Sequence, residues 1–174
     1  MKTYHNRKWN LSLDHPGDWE VFWENEPDGG WEIVVGVTGK SSRSGRPMVT
    51  VRVLRHAVIN FSANMSVYAA GGPGAPIELP RTPEAYNEIC KQELQNVLPG
   101  LQFISGETGT LAGMPSGTLL YSYKSATGII EEKQINLFGT AVTYRLLCEA
   151  PEEQRESVRK YFDSVVATFK PFAG

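Results

Sequence analysis

Three histidines (His5, His15, His56) and two cysteines (Cys90, Cys148) are the side chains of this 174-residue chain best suited to hold a metal or attack a substrate. Their spacing argues against both. No two histidines stand two or four residues apart, the separations that aim two imidazoles at one ion from a strand or a helix face. Neither cysteine has a second Cys or a His within a few residues. Each histidine therefore reads as a surface or turn residue. The cysteines read as small apolar core residues, with a disulfide as the alternative if their Cα atoms come within about 7 Å.

The remaining motifs are equally uncommitted. Gly113-Met114-Pro115-Ser116-Gly117 resembles a nucleophile turn, but its serine stands one place too late for a strand-to-helix elbow and a strand follows. A tight turn is expected there. Gly71-Gly72-Pro73-Gly74 lacks the Lys-Ser/Thr of a phosphate loop, and Pro73 and Pro76 remove amide donors. Glu131 and Glu132 fall on a strand, where neighbours point to opposite faces and cannot share a proton. Glu152 and Glu153 open a helix, where the macrodipole favours negative charge. Both pairs are expected to be structural or solvated. Four aspartates (Asp14, Asp18, Asp28, Asp163) make no calcium ladder. No catalytic residue, metal site or cofactor is expected.

All four tryptophans (Trp9, Trp19, Trp23, Trp31) lie in the first 31 residues. Their phase along the strands places most of them in the core, but tryptophan is also a frequent interface anchor. Trp23 and Trp31, with Arg43 and Arg46 of the following polar loop, are the candidate partner-binding residues. With 17 Lys+Arg against 19 Asp+Glu, the chain shows no concentrated positive charge for nucleic acid. An apolar fraction of 41% with 21% charged residues is globular. Residues 1–174 suffice for one domain that buries roughly 70% of its unfolded surface. The first twenty residues hold no signal-peptide run, and no stretch reaches the ~18 apolar residues of a membrane span. A cytoplasmic location is expected.

The elements that must position these residues follow from periodicity. Trp9, Leu11 and Leu13 share one strand face; so do Trp19, Val21 and Trp23, and then Trp31, Ile33 and Val35, with a turn over Asn25–Gly30. Met48–Leu54 is a further strand after the polar loop Lys40–Arg46. Residues 57–70 read as irregular, and Gly71–Pro80, with its glycines and prolines, as a loop. Thr82-Pro83-Glu84 opens a helix with an N-cap, a first-turn proline and an acid. That helix carries an apolar stripe of Tyr86, Ile89, Cys90, Leu94, Val97 and Leu98 and ends at Pro99-Gly100. Short strands are expected at Leu101–Ser105 and Gly109–Ala112. Three longer strands follow, around Leu119–Tyr123, Gln134–Leu137 and Val142–Cys148, joined by hairpins at Ser125–Gly128 and Gly139-Thr140. A last helix from Pro151 turns Val158, Tyr161, Phe162, Val165, Val166 and Phe169 inward, and Lys170-Pro171 stops it. The class is α+β: a central twisted antiparallel sheet covered by helices.

Three stretches resemble the PsbP-like superfamily, which includes the PsbP subunit of photosystem II, a yeast Ran-binding nuclear import factor and bacterial DcrB-type proteins. They are Tyr4 with Trp9-Asn10-Leu11-Ser12-Leu13-Asp14-His15-Pro16-Gly17-Asp18-Trp19, then Leu111–Gly117 leading into Tyr121-Ser122-Tyr123, and last Val142–Leu146 with Tyr161-Phe162 to Thr168-Phe169. The resemblance spans nearly the whole chain. It implies an α/β/α sandwich and a role as a non-catalytic adaptor, assembly factor or chaperone with a protein partner. The alternative is a small apolar-ligand carrier or enzyme with a pocket between sheet and helix, lined by Tyr121, Tyr123 and Tyr144.

Overall fold

The computed structural model describes residues 1–28, 31–40, 47–57, 82–139 and 142–171. The polar loop with Arg43 and Arg46, the segment 58–70 and the loop Gly71–Pro80 lie outside the described residues. The strands are β1 (Lys2–Asn6), β2 (Leu11–His15), β3 (Glu20–Asp28), β4 (Trp31–Lys40), β5 (Pro47–Ala57), β6 (Gln102–Leu111), β7 (Met114–Ser125), β8 (Gly128–Phe138), β9 (Val142–Pro151) and β10 (Lys170–Pro171). Helix α1 spans Pro83–Val97 between β5 and β6, and α2 spans Arg155–Thr168 after a 3-10 turn at Glu152–Gln154. Seven strands form one antiparallel sheet in the order β3-β4-β5-β9-β8-β7-β6, and β1-β2-β10 form a second. Mostly antiparallel sheet with two helices is the α+β class expected. Among the described residues no helix is long and apolar enough to cross a membrane.

The registers sort the large sheet into two unlike faces. Ile135, Leu146, Val53 and Val35 stand side by side across β8, β9, β5 and β4. This face belongs to the main core, which also takes Leu11 and Leu13 from β2 and Val158, Phe162, Val165 and Val166 from α2. Each such side chain contributes about 1.5–3 kcal/mol when fully buried. Helix α2 touches β2, β9 and β5, and the Asp14 amide donates to Thr168 Oγ1 at 2.9 Å. Helix α1 packs on the other face, against β7 and β6, through a smaller cluster of Cys90, Leu119 and Tyr121. Its N-cap is as expected, with the Ala85 amide donating to Thr82 Oγ1 at 3.3 Å.

Register shifts break the simple alternation in β3, β4 and β6. Ile33 pairs with Leu54 but Val35 with Val53, so Val34 is the extra residue. Ile33 and Val35 therefore face opposite sides, Ile33 joining Leu54 and Leu147 in a separate cluster. A register shift between Val21 and Trp23 sets Val21 opposite Val37 but Trp23 opposite Gly36, so the period expected of Trp19, Val21 and Trp23 breaks after Val21; Trp19 is buried just before β3 and Val21 is exposed on this edge strand. Other corrections are local. The two short strands expected at 101–112 are one strand, β6. The turn lies at Ala112-Gly113, both with positive φ, because Leu111 pairs with Met114 and residues 114–117 already belong to β7. On α1, Val97 is exposed and Asn87 buried. Tyr161 is 36% exposed and lies beside Trp19, ring centroids 6.2 Å apart. Lys170-Pro171 ends the helix by pairing with β2.

Candidate functional site

The face under α1 is polar. Tyr121, Glu132, Glu149 and Thr50 form one row across β7, β8, β9 and β5. The next row is Leu119, Gln134, Leu147 and Arg52, and the one beyond it Gly117, Asn136, Arg145 and Leu54. Pleating fixes this arrangement: Glu132, Gln134 and Asn136 alternate along β8 with Lys133, Ile135 and Leu137, so the two sets part to opposite faces.

The polar groups bond one another. Tyr121 donates its hydroxyl to Glu132 Oε1 at 2.5 Å. Glu149 accepts from Thr50 Oγ1 and from the Arg52 guanidinium, both at 2.9 Å, and from the Tyr123 hydroxyl at 3.3 Å. Arg145 donates to Asn136 Oδ1 at 2.9 Å and to the Tyr86 hydroxyl of α1 at 3.0 Å. Burial, reinforced by the negative charge of Glu149 on the adjoining strand, pushes the Glu132 carboxyl up to about 7. Burial and then Glu132 push the Tyr121 hydroxyl well above the usual phenol range. Glu132 can thus hold a proton near neutrality, but it is only 6% exposed and Tyr121, 1% exposed, lies across it.

The network reaches the surface at one end, where Cys90, Glu93, Leu94, Gln134 and Arg145 line a cleft of about 430 Å³. Burial raises the Cys90 thiol, which disfavours the nucleophilic thiolate. Beneath α2, on the other face, a recess of about 250 Å³ has Leu120, Cys148, Ala150 and Phe162 among its lining residues. Glu131, 8% exposed, meets Arg155 at 3.6 Å and Arg159 at 4.0 Å there. Among the described residues no group of three His, Cys, Asp or Glu side chains is placed to hold a metal.

The residues singled out by type are dispersed. His5 is exposed on β1; His15 is buried, not superficial, with Nδ1 2.9 Å from the Pro16 carbonyl oxygen. Cys90 and Cys148 are both free and buried, one under each helix, so the apolar reading holds and they form no disulfide. Trp23 and Trp31 are placed by backbone, opposite Gly36 and Asp28 in the β3–β4 hairpin; Arg43 and Arg46 lie outside the described residues. The three tyrosines do not line one pocket. Tyr121 and Tyr123 lie on the α1 face, whereas Tyr144 packs edge-on to Phe169 in the main core at 5.4 Å. Glu131 and Glu132 do face opposite sides, yet both are buried rather than solvated. The opposition of Glu132 and Glu149 joins residues distant in sequence, and its one trace there is the polar row of β8.

No protein-family model and no curated protein matches the chain. Solved structures do. LpqN of Mycobacterium tuberculosis, involved in cell envelope biogenesis, superposes with a TM-score of 0.66 at 16% identity over 97% of this chain and 88% of its own. Cyanobacterial PsbP (CyanoP) from Synechocystis sp. PCC 6803 gives 0.64 at 12% identity over 98% and 92%. PA94 of Pseudomonas aeruginosa, a protein of unknown function, gives 0.57 at 10% identity over 100% and 99%. The fold is PsbP-like.

Proposed function

We propose that this chain is a non-catalytic protein-interaction module, of the adaptor, assembly-factor or chaperone kind, built as a single α/β/α domain over residues 1–174. The observation that carries this reading is the mutual hydrogen bonding of the carboxylates and their neighbours on the polar face, although Arg52 Nε and Asn136 Nδ2 are buried there without a partner among the described residues. Glu132, Glu149, Tyr121, Arg52 and Thr50, the groups fit for acid–base work, are committed to one another across four strands. Such a network specifies strand register and leaves recognition to the outer surface. The likeness to LpqN and to PsbP supports a scaffold of this kind.

The test is to isolate the tagged chain from its native cells under low salt with mild crosslinking, beside an unrelated domain of equal charge. At least one protein should accompany the chain in near-equimolar amount and be absent from the control. A chain that elutes alone overturns the reading. The cleft beside Cys90, Gln134 and Arg145 is the one observation favouring a ligand carrier. Its lining mixes charged and apolar groups, so a panel of apolar ligands is expected to leave Tm unchanged; a saturable rise would favour the carrier.

A further inference from the structure

The two edges of the seven-stranded sheet differ in how they are defended. Edge strands present unpaired N–H and C=O groups, and proteins blunt them with proline, charge and bulges. β3 carries all three: Pro27, the acids Glu20, Glu24 and Glu26, and the register shift between Val21 and Trp23. β6 has only a register shift near its start, between Phe103 and Ser105. Its ten residues, Gln102–Leu111, include no proline and no basic residue, and Glu107 is the sole charge. All but Phe103 and Leu111 are exposed, and among the described residues nothing pairs with its outer side.

A recess flanks β6 on each face, and alternate residues of the strand border them. Gly106 and Thr108 border a cleft of about 300 Å³ toward α1, where Glu84 and Glu88 stand against one ammonium, Lys91, which pairs with Glu88 at 2.6 Å. Ser105 and Glu107 border the recess of about 250 Å³ toward α2, where Lys133, Arg155 and Arg159 balance Glu107, Glu131 and Asp163 above apolar residues that include Leu120 and Phe162. An extended segment laid along β6 would send successive side chains alternately into these two recesses, the arrangement by which strand addition gains affinity from the main chain and selectivity from pockets.

We propose that the β6 edge receives an extended segment of a protein partner as an eighth strand, with basic side chains toward α1 and apolar side chains toward α2. The proposal rests on the interaction-module reading and adds to it the place of docking and the chemistry of the partner. Charge complementarity selects the basic residues: the cleft on the α1 side has a surplus of carboxylate, and on the other side the charges cancel.

The probes are three acetylated, amidated octapeptides: alternating Lys and Val, alternating Glu and Val, and the Lys–Val peptide N-methylated at every second amide. The Lys–Val peptide should slow hydrogen exchange at outward amides of Gln102–Leu111 about tenfold, bind about tenfold more tightly than the Glu–Val peptide, and lose binding on N-methylation. The double variant Glu84→Lys with Glu88→Lys, checked for its fold by circular dichroism, should bind the Lys–Val peptide about fivefold more weakly and the Glu–Val peptide more strongly. Equal binding of the two charge types, no change at β6, or outward β6 amides already protected in the free protein by its own chain or a second copy would each overturn the proposal. A native partner whose crosslinks avoid β6 would overturn the strand addition and leave the interaction reading standing.

Discussion

Glu132 is the carboxyl that burial brings to titrate near neutrality, and the shift has a thermodynamic sign. Burial and the neighbouring Glu149 raise its carboxyl from the unfolded value of 4.5 to about 7. Below pH 4.5 the group is protonated both folded and unfolded and costs nothing. Between those two values the unfolded chain ionises while the folded chain holds its proton, so stability falls as pH rises, by on the order of 3 kcal/mol once pH exceeds 7. Glu132→Gln keeps an acceptor for Tyr121 and removes the titration. Urea denaturation should show variant and parent changing in parallel below pH 4.5, with the variant gaining about 2–4 kcal/mol on the parent by pH 8; a constant difference across that range would refute the assignment. A second residue carries backbone strain. Ala112 sits at φ 51° before Gly113 at φ 78°, a two-residue turn with both central residues left-handed, for which Asn-Gly is the preferred pair. Ala112→Asn should add about 0.5–1 kcal/mol, read as a higher Tm.

At the scale of elements, α1 is seated on the sheet by a close backbone approach. Asn87 donates to the carbonyls of Glu107 at 3.3 Å and Thr118 at 3.4 Å, and a Cβ at Gly117 would lie 2.6 Å from Asn87 Oδ1. Gly117→Ala should therefore cost about 1–3 kcal/mol in the parent but much less in an Asn87→Ala background. A double-mutant cycle with equal costs in both backgrounds would show that the contact is not what seats the helix. The same contact shows where sequence reading stopped. The apolar stripe of α1 was legible from Tyr86, Cys90 and Leu94, whereas a polar residue chosen to grip a glycine thirty positions away was not, since periodicity scores only hydrophobicity. The long strands β7 to β9 and the hairpins that join them were legible because turn residues and alternation agree there, whereas β3 runs on to Asp28 through residues read as a turn. The phases of β3 and β4 failed at bulges, which insert one residue without a compositional mark. The opposition of buried Glu132 and half-buried Glu149 was missed for a related reason: a polar row on a strand reads as the solvent side unless the helix above it is placed first.

The whole molecule is closed by its ends. β2 has two neighbours, β1 from the first residues and β10 from the last, and Ser12 lies opposite both His5 and Lys170. The small sheet is tied in turn to the large one: Asn6 Nδ2 donates to the Val34 carbonyl at 3.0 Å and Tyr4 donates its hydroxyl to Glu24 at 2.7 Å. Phe169, 2% exposed, stands where α2 gives way to β10 and packs in the core that Leu11, Leu13 and Tyr144 share. Contacts this distant in sequence form only after long loops have closed, an entropic cost that delays them in folding. Phe169→Ala should accordingly lower stability by about 3–5 kcal/mol, and most of that change should appear as faster unfolding, with refolding little slowed. Stopped-flow chevrons of parent and variant measure both limbs. A loss confined to the refolding limb would mean that the ends meet early and that the small sheet nucleates the fold rather than sealing it.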